Sequence, residues 1–275
     1  MYSLPECSNA LRRELGLSSS PIALSLVLAG AEVPADLNRP RRDHGICLAQ
    51  CQAFALARKN HLGLALLKED MWCPEPVIGY GLCSPPREFI EGRNRFPDDV
   101  ATPTAARRWA EAFPRLQPGE YVGVLSAPLE AAPFEPQLVL VYCRSIQITR
   151  LLLASSYDDG LEPICHLSGH AGCVFAVVPA LQNGQCVVSI PCMGDRQYAS
   201  CQDDELLFTI PMSRLDDILN GLARPGTGSV PSKVFLRAEY TLLEAYASLA
   251  SKMGMTHADG SSIIGRRGSD RLPWQ

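Results

Sequence analysis

The sequence predicts an α/β or α+β fold: a mixed β-sheet with helices packed on it, built as a single large domain. Three observations carry this. Short Val-, Ile- and Leu-rich runs alternate with longer stretches of helical periodicity through most of the chain, the pattern of a layered sheet-and-helix architecture. Gly and Pro bound many of the runs, as turn residues do. A length of 275 residues with 47% apolar and 20% charged residues belongs to the globular class, able to bury about three-quarters of its unfolded surface.

In chain order, Ser8–Leu15 reads as a short amphipathic helix capped at Ser8 and stopped at Gly16. Pro21–Leu28 is an apolar strand, and the polar, Pro-containing Glu32–Asp43 a loop. Cys47–Lys59 has helical composition, and Cys47 and Cys51 share one face of it. Leu62–Leu67 is a strand. Pro74 and Pro76 suit the first turn of a short helix ending near Gly81, which puts Cys73 at its N-terminus. Glu88–Pro103 is a polar loop with one helical turn, and Thr104–Phe113 a helix. Tyr121–Leu125 and Leu138–Tyr142 are strands joined by the surface loop Pro128–Pro136. Ser145–Tyr157 is a helix capped at Ser145, and Ile164–Gly172 a strand end and loop with His166 and His170. Cys173–Leu181 is helical despite Pro179. Val187–Ile190 and Leu206–Ile210 are strands flanking a polar insert, in which Pro191 and Gly194 hold Cys192 at a tight bend. Ser213–Leu222 is a helix capped at Ser213, and residues 224–232 a linker. The organisation is thus a core over residues 1–232, a C-terminal helix over 233–254, and a disordered Gly/Ser/Arg-rich tail over 255–275. No repeat of solenoid period occurs. One echo does: each half has a cysteine in a helix start (Cys47, Cys173) and another in a turn farther on (Cys73, Cys192).

The net charge is −4, and arginines cluster only as pairs such as Arg12-Arg13 and Arg107-Arg108, which offers no nucleic-acid face. No apolar run reaches the ~18 residues of a membrane helix. Arg12-Arg13 ahead of Pro21–Ala31 resembles a secretory leader, but Glu6, Glu14 and Ser18–Ser20 interrupt it, so it reads as a helix, a turn and a strand. Eleven cysteines, odd in number and irregular in spacing, point to a reducing, cytoplasmic setting. There most thiols act as small core residues and a subset binds metal.

Candidate chemistry centres on Cys47, Cys73, Cys173 and Cys192, each at a helix start or a tight turn, where backbone N–H groups stabilise charge on sulfur. Cys51 and Cys201 are spares able to replace a member. Separately buried thiols are the alternative for the whole set, since the spacing matches neither zinc ribbons nor ferredoxins. Arg196, following Gly194-Asp195, suits a carboxylate or phosphate ligand; a solvated surface loop is the plainer reading. His166 and His170 are four apart, but Gly169 and Gly172 argue against a helix that would make them a metal pair. No G-x-S-x-G, P-loop or G-x-G-x-x-G motif is present.

The run Ser189-Ile-Pro-Cys-Met-Gly-Asp-Arg196, then Asp203-Asp-Glu-Leu and Ile210-Pro211, resembles the DUF169 family of uncharacterised bacterial and archaeal proteins. So do Cys47 opening an Ala-rich helix, Cys73 followed by Gly79 and Gly81-Leu82, and Cys173 with Pro179 and Gly184. The similarity spans about residues 8–224, and its specific part is Pro-Cys-x-Gly-Asp-Arg. Where family members carry a Gly pair after the cysteine at position 73, this chain has Pro74-Glu75-Pro76. Cys51 and Cys201 lie outside the family pattern. The resemblance brings no established activity; it implies that Cys47, Cys73, Cys173 and Cys192 form one set. The leading expectation is a 4Fe-4S cluster on those four, in preference to zinc, in a protein that handles electrons from a redox partner or a small anionic ligand. Arg196 would hold the anion, Asp195 would orient Arg196 or the turn, and Gly194 would free the backbone beside them. The alternative is a metal-free module for an organic acid or cofactor. A zinc hydrolase using His166, His170 and Glu205 ranks last.

Overall fold

The computed structural model describes residues 2–224 and 244–255. The elements are α1 (Leu4–Leu15), β1 (Ile22–Leu28), α2 (Pro40–His44), α3 (Gln50–Asn60), β2 (Leu64–Leu67), α4 (Pro74–Gly79), α5 (Arg87–Ile90), α6 (Pro103–Ala112), β3 (Tyr121–Pro128), β4 (Leu138–Arg144), α7 (Ser145–Ser155), β5 (Ile164–His166), α8 (Gly172–Asn183), β6 (Val187–Ser189), α9 (Met193–Tyr198), β7 (Glu205–Pro211), α10 (Leu215–Leu222) and α11 (Glu244–Lys252). The chain divides into two units, residues 1–230 and 231–275. Of the predicted C-terminal helix, the described part is α11; the linker, the rest of that helix and nearly all of the tail lie outside the described residues.

Among the described residues one mixed sheet runs β2-β3-β1-β4-β7-β6-β5. Every pair is antiparallel except β5 with β6. β4 shows why its sequence is an unbroken apolar run. Leu138, Leu140 and Tyr142 face one core cluster with Phe54 of α3 and Val174 of α8. Val139, Val141 and Cys143 face the other, with residues of α1, α7 and α10. A sheet covered on both sides needs apolar residues at every position and loses the in–out alternation.

The sheet is built from two equivalent halves. β1 and β4 meet at its centre with Ala23 opposite Val139. A two-fold axis normal to the sheet at that pair exchanges β1 with β4, β3 with β7 and β2 with β6. The registers agree: Ile22 faces Pro128 as Leu138 faces Pro211, and Leu64 faces Ser126 as Val187 faces Thr209. Each proline leads into a 3₁₀ turn, Leu129–Ala131 or Met212–Arg214. The first amide of each turn bonds back across the sheet, Leu129 N–H to the Pro21 carbonyl (2.9 Å) and Met212 N–H to the Gln137 carbonyl (3.0 Å). The long helices match as well. α3 follows Ala49 and ends on a left-handed residue, His61; α8 follows Ala171 and ends on a left-handed residue, Gly184. Of the cysteine echo in the sequence, the Cys73–Cys192 pair follows this two-fold relation; the counterpart of Cys173 is Cys51 and not Cys47.

Several boundaries differ from the sequence reading. α1 starts four residues early because Ser3, not Ser8, caps it, in a reciprocal pair with Glu6. Ser8 is buried inside the helix and donates to Glu130 (2.8 Å). The loop over 32–43 contains the start of α2. α3 begins at Gln50, so Cys47 stands ahead of it. At α7 the Gln147 side chain accepts from the Arg144 amide, and Ser145 is already helical. The polar insert after Ile190 folds into α9 because Asp195 accepts from the Cys192 amide and closes its first turn.

α10 packs closely on α7 at Gly221, where a Cβ would stand 2.5 Å from the Ala154 carbonyl oxygen. Gly221→Ala would gain about 1 kcal/mol of helix propensity, but crowding of a backbone atom costs about 1–3 kcal/mol. A net loss of stability is expected in urea unfolding; a higher midpoint than wild type would show the two helices free to part.

Candidate functional site

Four helix starts converge on the face of the sheet that carries α3 and α8. α4 packs on α8, where Val174 sits against Gly79 and leaves no room for a Cβ there. α9 packs on α3. The short helix of each half therefore rests on the long helix of the other. Between them lies a cavity of about 150 Å³ lined by Cys51, Cys73, Cys173 and Cys192. Cys51 and Cys173 are the second residues of α3 and α8; Cys73 and Cys192 are the N-caps of α4 and α9. Ala49-Gln50-Cys51 thus matches Ala171-Gly172-Cys173, and Cys73 matches Cys192. The thiols are two pairs related by the axis of the sheet.

Three of the four predicted cysteines are brought together, and Cys51 completes the set. Cys47 does not line the cavity: it precedes α3, and its Sγ lies 3.5 Å from the Glu69 carbonyl. Expecting the helix to open at Cys47 misplaced the equivalent of Cys173 by one turn. The signal that could have found it is the Ala-x-Cys tripeptide that recurs in both halves. Cys201 instead bonds Glu205 (3.2 Å).

Asp195 is buried and serves the turn, not Arg196. Its Oδ2 accepts from the Cys192 amide (3.0 Å) and thiol (3.1 Å), and its Oδ1 accepts from the Tyr142 hydroxyl (3.1 Å). Arg196 turns away from the cavity and donates to the Gln202 carbonyl (2.6 Å). Gly194 does line the cavity, next to the Cys192 sulfur. A buried chain continues inward. The Arg58 guanidinium lies 4.0 Å over the Tyr142 ring and forms a two-pronged pair with Glu205 (2.5 and 2.8 Å). Glu205 was singled out from sequence in another role, as the acid of a zinc site; Arg58 and Tyr142 were not, because Arg58 sits in an ordinary helical stretch and Tyr142 in an apolar strand.

The histidines part company. His170 lines the cavity, and its Nδ1 accepts from Arg95 (2.9 Å). Arg95 also pairs with Glu75 and Asp99 and stacks 4.0 Å over Trp109. Burial, then the Arg95 charge, holds His170 below the ordinary imidazole range. His166 packs edge-on against Phe175 (5.3 Å), and Glu205 is committed to Arg58. The three residues of the zinc-hydrolase reading therefore serve separate neighbourhoods.

Burial dominates the thiols. It pushes Cys73 and Cys192 up to about 11, and raises Cys51 and Cys173 well above the ordinary range. The helix starts favour thiolate, but four thiolates around one cavity, with the Asp195 carboxylate beside Cys192, would repel one another. The set holds protons unless a cation enters, and a soft cation would displace them. Among the described residues, no group of three or more His, Cys, Asp or Glu stands close enough to hold one metal ion.

A family model described as "Uncharacterised ArCR, COG2043" matches residues 10–221. The chain belongs to the DUF169 family. It is also similar to the uncharacterized protein MJ0308 of Methanocaldococcus jannaschii, 24% identical over 179 residues that cover 62% of this chain and 75% of that one. No solved structure matches. In this DUF169 protein the matched region takes in all four cavity cysteines and both halves of the sheet. Among the described residues no helix is long and apolar enough to cross a membrane.

Glu205 offers a direct test of the buried chain. Burial alone would raise its carboxyl, but hydrogen bonds from Arg58 and the Gln202 amide take it down to about 2. A depressed carboxyl stabilises the fold above its unfolded value of 4.5 and loses that contribution as pH falls toward about 2. Glu205→Ala, which strands Arg58, is expected to cost about 3–5 kcal/mol near neutral pH in urea unfolding. The difference from wild type should shrink across that acid range; a gap that stays constant there would refute the assignment.

Proposed function

We propose that this protein holds a 4Fe-4S cluster on Cys51, Cys73, Cys173 and Cys192 and uses it for electron transfer. The observation that carries the reading is the placement of four thiols, as two equivalent pairs at four helix starts, around one cavity. A cluster spreads its ligands wider than one tetrahedral ion does. Four thiolates would also supply the anionic donor set that such a cluster needs, with iron displacing the protons that burial retains. Trp72, Met193 and Tyr198 line the cavity and are exposed, so a cluster held there would lie near the surface, as electron exchange requires. Arg196 faces elsewhere, so anion handling is not part of the proposal.

A second reading keeps the cavity and removes the metal. Protonated thiols and the fully buried Gln50 carboxamide would then line a pocket for a small organic acid or organic cofactor.

Anaerobic reconstitution with iron and sulfide separates the two. About four irons per chain with broad visible absorption are expected. Cys51→Ser and Cys192→Ser should each lose most of the bound iron, and Cys47→Ser should retain it. A colourless wild-type protein would sink the cluster reading, and loss of iron on Cys47→Ser with retention on Cys51→Ser would sink the ligand set.

A further inference from the structure

The two half-sites differ at the first residue of their long helices. Where α8 carries Gly172, α3 carries Gln50. Gly172 is obligatory in its half: a Cβ there would meet the Cys192 amide nitrogen and the Ile190 carbonyl oxygen, both at 2.8 Å. The start of α9 therefore lies directly against the start of α8. In the other half a longer connection, with the 3₁₀ turn Lys68–Asp70, separates β2 from Cys73, and the Gln50 side chain is accommodated there. Gln50 is fully buried and lines the cavity, and neither its Nε2 nor its Oε1 has a hydrogen-bond partner within the protein. A buried carboxamide left this way costs about 1–3 kcal/mol. The fold gives no structural reason to keep an amide there, since an apolar side chain of the same length would fill the same space.

We propose that the Gln50 carboxamide is a hydrogen-bond donor to the cavity's occupant, its Nε2–H directed at a sulfur of the cluster, so that Gln50 sets the reduction potential. This rests on the cluster reading above. The chemistry is direct. An N–H donor stabilises the more negative, reduced cluster more than the oxidised one and raises the potential, as second-shell donors do at metal–sulfur sites. Gln50 binds no iron and is a positioning and tuning residue. The partner half-site satisfies the Cys192 amide internally, through Asp195. At the matching place α4 has Pro76, so the Cys51–Cys73 side has no counterpart of the Asp195 acceptor, and the buried polar side chain on that side is Gln50.

The test is Gln50→Met, which keeps length and removes the donor, compared with wild type after anaerobic reconstitution of the full chain. The variant is expected to bind wild-type iron and sulfide, to shift to a more negative potential in a dithionite titration, and to be no less stable than wild type without metal. Resonance Raman spectra of the wild type in H₂O and D₂O add a readout that needs no variant: a bridging iron–sulfur mode should shift on exchange. An unchanged potential in Gln50→Met overturns the Gln50 assignment and leaves the cluster standing, as does a wild-type spectrum insensitive to D₂O. Failure of the wild type itself to bind iron removes the cluster reading, and the assignment with it.

Discussion

Three residue pairs at the centre of the sheet, Ile22 with Leu140, Ala23 with Val139 and Leu24 with Leu138, join the two halves of the molecule. This antiparallel seam is the constraint that everything else follows. A one-residue slip would turn the apolar set of β1 or β4 to the wrong side, and both sides are buried. With the register locked, the two-fold relation of the strands carries over to their connecting helices. α3 and α8 are then placed so that each receives the short helix of the opposite half. The thiol cavity is a consequence of that exchange, because neither half alone brings its two cysteines to a closed space.

The electrostatics of the cavity follow from its burial. Helix starts and N-cap positions pull toward thiolate, and desolvation pulls toward thiol; here desolvation wins for all four. The cavity is neutral while its thiols keep their protons, and under the proposed cluster reading metal entry would be coupled to their release. Asp195 shows the same balance, its carboxyl raised by burial and partly restored by the Cys192 and Tyr142 hydrogen bonds. Behind it, Tyr142, Arg58 and Glu205 form a packed polar chain that fixes α9 relative to α3 and β7. Removing one charge from such a buried pair is costly because the other remains.

The alternating apolar runs were legible as a layered sheet, and the strand cores of β1, β3, β4 and β7 lie within a few residues of where the runs place them. Helix starts were less legible. Ser8 resembles a cap but is buried against Glu130, and Ser3 with Glu6 does the capping, because a reciprocal pair outcompetes a lone hydroxyl. The thiol set was legible in part. Cys73, Cys173 and Cys192 stand out beside Pro and Gly, whereas Cys51 sits in an Ala-rich helical stretch beside the more conspicuous Cys47. Arg196 followed a Gly-Asp turn and suggested an anion site, yet α9 rotates it toward Gln202.

The sequence by itself determined the layered architecture, the family and three of the four cavity cysteines, because periodicity, turn residues and a short specific motif are local properties. The tertiary structure alone decided the two-fold arrangement, the choice of Cys51 over Cys47, and the burial of Gln50 without a partner. Those depend on which helix packs on which across the β1–β4 seam. Contacts between residues more than a hundred positions apart are set by the register of the sheet and leave no local trace in composition or spacing.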